Sequence, residues 1–157
     1  MGIEFSKDTV CIVESNVDDV TGEVLARTIE VSIAEGALDA TASPYTGKKG
    51  RPGFTVRLTC AKSAAPKFAN ILVRETGTLG VKITETQRWI VKRSEEIISI
   101  RIGGKSRQIR LKTASIDGQT RLKPEYEDVK KVAEEFDISL RSVIEITARQ
   151  ASEKLES

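Results

Sequence analysis

Histidine is absent from this chain of 157 residues. That removes the commonest transition-metal ligand, the usual neutral-pH general base and any Ser-His-Asp or Cys-His relay. A zinc hydrolase of the familiar kind is excluded, so any chemistry must rest on carboxylates, lysines, hydroxyls, bound cations and phosphate electrostatics. Aromatic residues make up only 4% of the chain, which leaves the core to Ile, Val, Leu and Ala. There are two cysteines, Cys11 and Cys60, each inside an apolar, strand-like run. Such residues read as buried thiols rather than a disulfide or a metal pair. No apolar run exceeds about four or five residues, far short of a membrane span of about 20. The opening Met1-Gly2-Ile3-Glu4-Phe5-Ser6-Lys7 has no apolar signal core. The expected setting is cytoplasmic, with no membrane partner.

What is present describes a soluble globular domain, or one domain with a small appendage: 39% hydrophobic and 31% charged residues. The net charge of +2 hides an asymmetry. Residues 1–40 carry Glu4, Asp8, Glu14, Asp18, Asp19, Glu23, Glu30, Glu35 and Asp39 against Lys7 and Arg27. Residues 86–123 carry Arg88, Lys92, Arg93, Arg101, Lys105, Arg107, Arg110, Lys112, Arg121 and Lys123 against Glu95, Glu96 and Asp117. The basic stretch suits an anionic partner or an acidic face on a neighbouring subunit.

The apolar run Val10 to Val13 reads as a strand that ends at a polar turn. An amphipathic helix follows, with Val20, Val24, Leu25, Ile29 and Ile33 on one face and Gly36 as its stop. Ala37 to Pro44 is a short strand, and Phe54 to Cys60 alternates as a half-buried one. Ser63 is placed to cap a second helix with Pro66 in its first turn and Phe68, Ile71 and Leu72 facing in. Gly77 and Gly80 bracket a turn before a strand over Val81 to Thr86. The order strand, helix, strand, strand, helix, strand is the ferredoxin-like βαββαβ arrangement, expected over residues 8–86. Residues 87–157 read as a β-meander from Arg88 to Thr113 with a Gly103-Gly104 hairpin turn. Two helices follow, one opening at Pro124 with Tyr126, Val129, Ala133 and Phe136 inward, one capped by Ser139 with Leu140, Val143, Ile144 and Thr147. The fold class is α+β: a ferredoxin-like sheet followed by a small β-meander and a two-helix subdomain.

Four polar clusters carry candidate chemistry. In Asn16-Val17-Asp18-Asp19, the carboxylates of Asp18 and Asp19 either cap the first helix or offer oxygens to a hard cation such as Mg²⁺ or Mn²⁺. The loop Lys48-Lys49-Gly50-Arg51-Pro52-Gly53 combines close backbone approach with concentrated positive charge, which suits a phosphate chain; the alternative is a solvated hairpin. It is not a P-loop, because it precedes a strand. In Arg74-Glu75-Thr76-Gly77-Thr78-Leu79-Gly80, Arg74 suits the end of a helix dipole. The hydroxyls of Thr76 and Thr78 either bind an oxyanion or close the turn. Near the last two helices, Arg121-Leu122-Lys123-Pro124-Glu125-Tyr126-Glu127-Asp128 places Lys123 before a helix N-terminus, where a cation is disfavoured unless an anion is near. Glu127 and Asp128 are expected there as dipole-complementing acids.

These motifs, in this order and at similar spacing, resemble the nickel-insertion proteins of the lactate racemase cofactor pathway, the pyridinium-3,5-bisthiocarboxylic acid mononucleotide cyclometallases. The resemblance is to their C-terminal half and covers roughly Val10 to Gln150. It implies a CTP-dependent insertion of nickel, as substrate ion, into an organic mononucleotide, a metal-chelating lyase type of reaction. It further implies CTP bound with Mn²⁺ or Mg²⁺. On the matching positions, Lys48, Lys49, Arg51, Gly53, Arg74, Thr76, Thr78 and Lys123 are expected to bind nucleotide, and Asp18 and Asp19 the cation. No residue is singled out as catalytic. The family's additional N-terminal half, often histidine-rich, has no counterpart in this sequence, so a separate chain or the missing half is an expected partner for activity.

Two other classes compete with this reading. One is a ferredoxin-like oligomer that senses a nucleotide without chemistry. The other is RNA binding through the basic meander, which is disfavoured because Trp89 is its only aromatic residue and stacking on bases needs more. The uncovered sheet face and the charge asymmetry predict a homotrimer or a pair of trimers, with the loop Lys48 to Gly53 near the boundary.

Overall fold

The computed structural model describes residues 3–155 and divides into two compact units, one of residues 7–89 and the other of residues 90–155 with 3–6. The first is built on β1 (Phe5–Val17), α1 (Gly22–Ala34), β2 (Asp39–Thr46), β3 (Pro52–Ala61), α2 (Ala65–Thr76) and β4 (Lys82–Val91). Its four strands lie in the order β2-β3-β1-β4, with β3 antiparallel to both β1 and β2. This is the expected ferredoxin-like sheet. Alternation along β1 and β3 decides the faces. Cys11, Val13 and Val17 share one face with Val56, Leu58 and Cys60, and Leu25, Phe68, Ile71 and Leu72 of the helices close over them. Both cysteines are free and buried, and they stand opposite one another in register. Desolvation pushes the Cys60 thiol above its ordinary range.

The other face of this sheet is laced with charge. Glu14 lies opposite Arg57, accepts hydrogen bonds from its Nε at 2.9 Å and Nη2 at 2.7 Å, and faces Lys82 Nζ at 3.5 Å. Arg57 holds the Glu14 carboxyl below the usual range. Further along, Arg88 grips Asp8 through Nε and Nη2.

Helix α1 differs from its sequence reading. The buried face is Leu25, Thr28 and Ser32, while Ile33 is 49% exposed. Small hydroxyl residues can be buried in a helix because each donates to the carbonyl one turn back: Thr28 to Val24 at 2.7 Å and Ser32 to Thr28 at 2.7 Å. A one-turn 3-10 segment at Lys62–Ala64 precedes α2, whose N-cap is Ala64. Ser63 therefore provides no cap, although Phe68, Ile71 and Leu72 are buried as expected.

The second unit contains β5 (Ser94–Ile102), β6 (Lys105–Ile116), β7 (Gln119–Pro124), α3 (Tyr126–Phe136) and α4 (Leu140–Leu155). The sheet order is β5-β6-β7. Gly103 and Gly104, at φ +56° and +78°, form the hairpin turn, a conformation that favours residues without a Cβ. Ile98, Ile100, Ile109 and Leu111 pack against Val129, Val132 and Val143. Two expectations need correction here. Trp89 to Val91 end β4 rather than opening the meander. Pro124 is the last residue of β7, paired with Leu111, so the helix starts two residues later. A proline is tolerated at such a strand end because no further ladder bond is asked of it. Tyr126, expected inward, is 58% exposed, and Ile144 is 40% exposed. Ser139 does cap α4: its Oγ accepts from Ser142 N at 3.0 Å.

Asp128 is more than a helix-dipole acid. It accepts from Arg110 Nε at 2.8 Å, Nη2 at 2.9 Å and backbone N at 3.0 Å. That bidentate grip lowers its carboxyl from 3.8 to about 2. A carboxyl depressed on folding stabilises while ionised, so its contribution is present above about pH 4 and is lost as pH falls toward 2. Chemical denaturation between pH 5 and pH 2 should show wild type losing stability more steeply than Asp128→Asn. Equal slopes would assign the acid sensitivity to other carboxylates.

Candidate functional site

The end of the first sheet where β1 stops and β2 turns into β3 gathers two of the three clusters in the first unit. The register sets this: Val17 pairs with Phe54, and Thr46 pairs with Pro52. Asp18 follows Val17 directly and lies across from the β2–β3 loop. A cleft of about 370 Å³ opens there, lined by Asp18, Tyr45, Gly47, Lys48, Lys49 and Arg51.

The loop is a tight, internally bonded structure. Gly47 N donates to Arg51 O at 2.7 Å and Gly50 N to Gly47 O at 3.2 Å, closing one 3-10 turn over Lys48–Gly50. Inside it Lys49 adopts φ +61°, ψ +24°, a left-handed conformation that costs a non-glycine residue roughly 1 kcal/mol. Gly53 shows why this loop needs glycine where it meets the sheet. A Cβ there would stand 2.6 Å from the Val17 carbonyl oxygen and 2.8 Å from the Tyr45 ring. Without it, Tyr45 packs over the strand end and forms one wall of the cleft. Tyr45 and Gly47 were not among the residues singled out from sequence. The available signal was that Tyr45 and Phe54 flank the glycine-rich basic loop as its two neighbouring aromatic residues.

The charges of the cleft are largely uncompensated. Arg51 Nη1 approaches Asp18 Oδ2 at 3.9 Å, with both side chains substantially exposed, a separation worth little in water. Lys48 and Lys49 have no ion-pair partner among the described residues. The helix behind them does not use the aspartates: the N-cap of α1 is Thr21, with no side-chain cap bond. Asp18 and Asp19 are both exposed, which leaves their oxygens available. Among the described residues no group of three or more His, Cys, Asp or Glu could hold a metal ion by itself. Two carboxylates supply too few oxygens to hold a hard cation by themselves, so an ion here would draw its other ligands from elsewhere.

The remaining predicted residues lie elsewhere. Thr76 Oγ1 donates to Leu72 O at 2.6 Å and accepts from Thr78 N at 3.3 Å. Thr78 Oγ1 lies 2.6 Å from Ser15 Oγ, and Ser15 donates to Gly80 O at 2.7 Å. The Thr76 hydroxyl is used at the end of α2, and the Thr78 hydroxyl ties the turn to β1. Arg74 lines a different cleft of about 380 Å³ with Glu35, Lys67, Asn70 and Ile71, and it meets Glu75 at 3.5 Å. Lys123 is on β7 of the second unit, opposite Lys112, and exposed.

Half of the basic residues of the 86–123 stretch are taken up in ion pairs within the chain. Of the bases in 86–123, Arg88 pairs with Asp8, Lys92 with Glu4, Arg107 with Glu135, Arg110 with Asp128 and Lys112 with Glu125.

Comparison with known proteins follows the geometry. Two solved structures that resemble this chain define its fold class. The C-terminal domain of a cyclometallase involved in the synthesis of the NPN cofactor of lactate racemase, in its apo form, superposes with a TM-score of 0.79 at 24% sequence identity, covering 94% of this chain and 99% of that one. A protein from Methanopyrus kandleri superposes with a TM-score of 0.63 at 24% identity, covering 92% and 90%. At the level of sequence, the profile of the family described as nickel insertion protein matches residues 2–144. The chain belongs to the nickel insertion protein family. A Methanococcoides burtonii relative named for nickel insertion is 39% identical over 152 residues, 95% of this chain and 37% of that protein. The pyridinium-3,5-bisthiocarboxylic acid mononucleotide nickel insertion protein of Acetivibrio thermocellus is 35% identical over 136 residues, 87% of this chain and 32% of that protein. The chain thus spans about a third of the length of these curated relatives. Among the described residues no helix is long and apolar enough to cross a membrane.

The left-handed Lys49 separates fold from function. Lys49→Gly relieves the backbone cost and should leave the melting temperature equal or higher by thermal unfolding. A clear drop would show that the lysine side chain holds the loop together.

Proposed function

We propose that this chain is the nucleotide- and cation-binding part of a nickel insertion protein. The observation that carries this reading is the cleft itself. Two unpaired lysines and a loosely held arginine stand on a glycine-rich turn, with two exposed aspartates at the facing strand end. Such a cleft has cations for a triphosphate and carboxylates for the metal that travels with it. In this reading Lys48, Lys49 and Arg51 bind the phosphates. Gly53 lets Tyr45 close one wall, and Asp18 and Asp19 hold Mn²⁺ or Mg²⁺. The ion neutralises the phosphate charge and orients the chain of oxygens. The preference for CTP is what the resemblance to the cyclometallases implies. Nickel is the substrate ion and a pyridinium mononucleotide the acceptor, as the name of the Acetivibrio relative states for that protein. The lyase chemistry would draw on the remainder of the longer relatives or on a separate chain that supplies it. Arg74, Thr76, Thr78 and Lys123 have no place in this cleft and are not assigned to the phosphates.

Calorimetric titration with CTP, ATP, GTP and UTP, each with Mn²⁺ or with EDTA, tests the reading. CTP with Mn²⁺ should bind most tightly. Charge-assisted phosphate contacts are worth roughly 1.5–3 kcal/mol each, so Arg51→Ala or Lys49→Ala should weaken binding about tenfold or more. Asp18→Asn should weaken the metal-dependent part while leaving thermal stability nearly intact, because it removes charge and keeps the shape. Unchanged affinity in all three variants would remove the cleft from the nucleotide site.

The same reading includes a homotrimer, or a pair of trimers, with the loop Lys48 to Gly53 near the boundary between copies. Light scattering with and without CTP should give a mass three or six times that of the chain. A monomer that binds CTP at full strength would exclude a shared site.

A further inference from the structure

We propose that the second unit carries its own binding pocket for a phosphorylated sugar. It is formed where the helix-facing side of β5-β6-β7 runs on past the apolar core. Along that face the buried residues are Ile98, Ile100, Ile109 and Leu111. Continuing in register, the same face changes character: Glu96 stands opposite Leu111, Ser94 opposite Thr113, and Ser115 opposite Thr120. Positions of equal parity that would extend the apolar core instead carry hydroxyls and a carboxylate. A cleft of about 410 Å³ lies over them, with Lys92, Arg93, Ser94, Glu96, Thr113 and Thr120 in its walls. This volume falls in the range of small-molecule sites, roughly 300–1,000 Å³.

The cleft has a hydrogen-bonded floor and charged residues in its lining. Thr113 is 5% exposed; its hydroxyl lies 2.6 Å from Ser94 Oγ and 3.3 Å from Glu96 Oε1. A cross-strand Ser–Thr pair is ordinary sheet stabilisation, but that pair does not require a carboxylate beside it or an unpaired arginine above it. Lys92 is tied down by Glu4, through Nζ at 3.0 Å and backbone N at 2.9 Å. Arg93 has no partner among the described residues; the side chains of Arg101 and Arg121 have no carboxylate either, but Arg93 is the arginine in the lining of this cleft.

A cleft lined by both an unpaired arginine and a carboxylate suits a ligand with two chemically different ends. A bare anion would be repelled by Glu96, and a neutral sugar would make no use of Arg93. A phosphate monoester takes the planar fork of Arg93. Sugar hydroxyls donate to Glu96 and exchange hydrogen bonds with Ser94 and Thr120. The class is a ribose phosphate or the phosphoribosyl end of a mononucleotide. Only the identity of the physiological ligand, a mononucleotide acceptor, rests on the function proposed above.

The experiment is an NMR titration of the full chain, without nucleotide triphosphate, using ribose 5-phosphate, ribose and inorganic phosphate as separate probes. Ribose 5-phosphate should shift the amides of Ser94, Thr113 and Thr120 with a Kd of about 1 mM, near −4 kcal/mol. Ribose and phosphate should each bind at least about tenfold more weakly, the two-ended requirement. Arg93→Ala and Glu96→Gln should each weaken ribose 5-phosphate about fivefold or more while the melting temperature and the CTP titration stay as in wild type. No shift at these amides by about 20 mM, far above that Kd, would overturn the proposal. So would equal binding of inorganic phosphate, or a loss produced by Arg51→Ala rather than by Arg93→Ala. Failure of CTP binding with ribose 5-phosphate binding retained would overturn the triphosphate reading alone.

Discussion

The antiparallel pairing of β1 with β3 is the constraint on which the first unit depends. Its alternation sends Cys11, Val13 and Val17 to the face that the helices cover, and it sets Val17 opposite Phe54. A slip of one residue would carry Glu14 and Arg57 into the core and put valines in their place. The same register fixes where β1 ends, and hence where Asp18 emerges beside the loop of Lys48, Lys49 and Arg51. Gly53 completes the arrangement, because only a residue without Cβ allows the Val17 carbonyl and the Tyr45 ring to approach it so closely. Core packing and cleft geometry are therefore one constraint seen from two ends of the strand.

Electrostatics is divided between pairs that complete the fold and charges left over. Glu14 with Arg57, Asp8 with Arg88, and Asp128 with Arg110 join strands or helices within their own units. Each anchors a carboxylate by a forked arginine, a geometry that lysine does not offer. Several cations have no ion-pair partner among the described residues, Arg101, Arg121 and Lys123 as well as Lys48, Lys49 and Arg93. Lys48 and Lys49 lie on one cleft and Arg93 on another. A cation left without a counter-charge in a chain that pairs most of its acids marks a place where an anion from outside is electrostatically favoured.

Much of this was legible in the sequence, and what was not has identifiable causes. The ferredoxin-like order and the Gly103-Gly104 hairpin follow from periodicity and turn chemistry, which are local. Strand β7 was not legible, since Gln119 to Pro124 shows no alternation and derives its ladder from β6. Ile33 matched the apolar spacing of α1, yet Thr28 and Ser32 took the buried positions because backbone carbonyls one turn back satisfy their hydroxyls. On local chemistry the aspartates at 18 and 19 read as caps ahead of ligands, whereas the N-cap of α1 is Thr21. Arg74 read as part of the phosphate cluster by proximity in sequence to the threonine turn, whereas its helix face aims it along α2 toward Glu35 and Lys67.

By itself, the sequence determined the class of chemistry and the class of fold. The absence of histidine, the grouping of Lys48, Lys49, Gly50 and Arg51, and the alternation of β3 are properties of composition and short-range pattern, and no packing can change them. Only the tertiary structure decided which of those groups meet. Asp18 joins the basic loop because β1 and β3 end together. Thr78 is drawn off by Ser15 and Thr76 by the Leu72 carbonyl, and Lys92 is taken up by Glu4. Such meetings depend on contacts between residues many positions apart, and those contacts exist only once the sheets have formed.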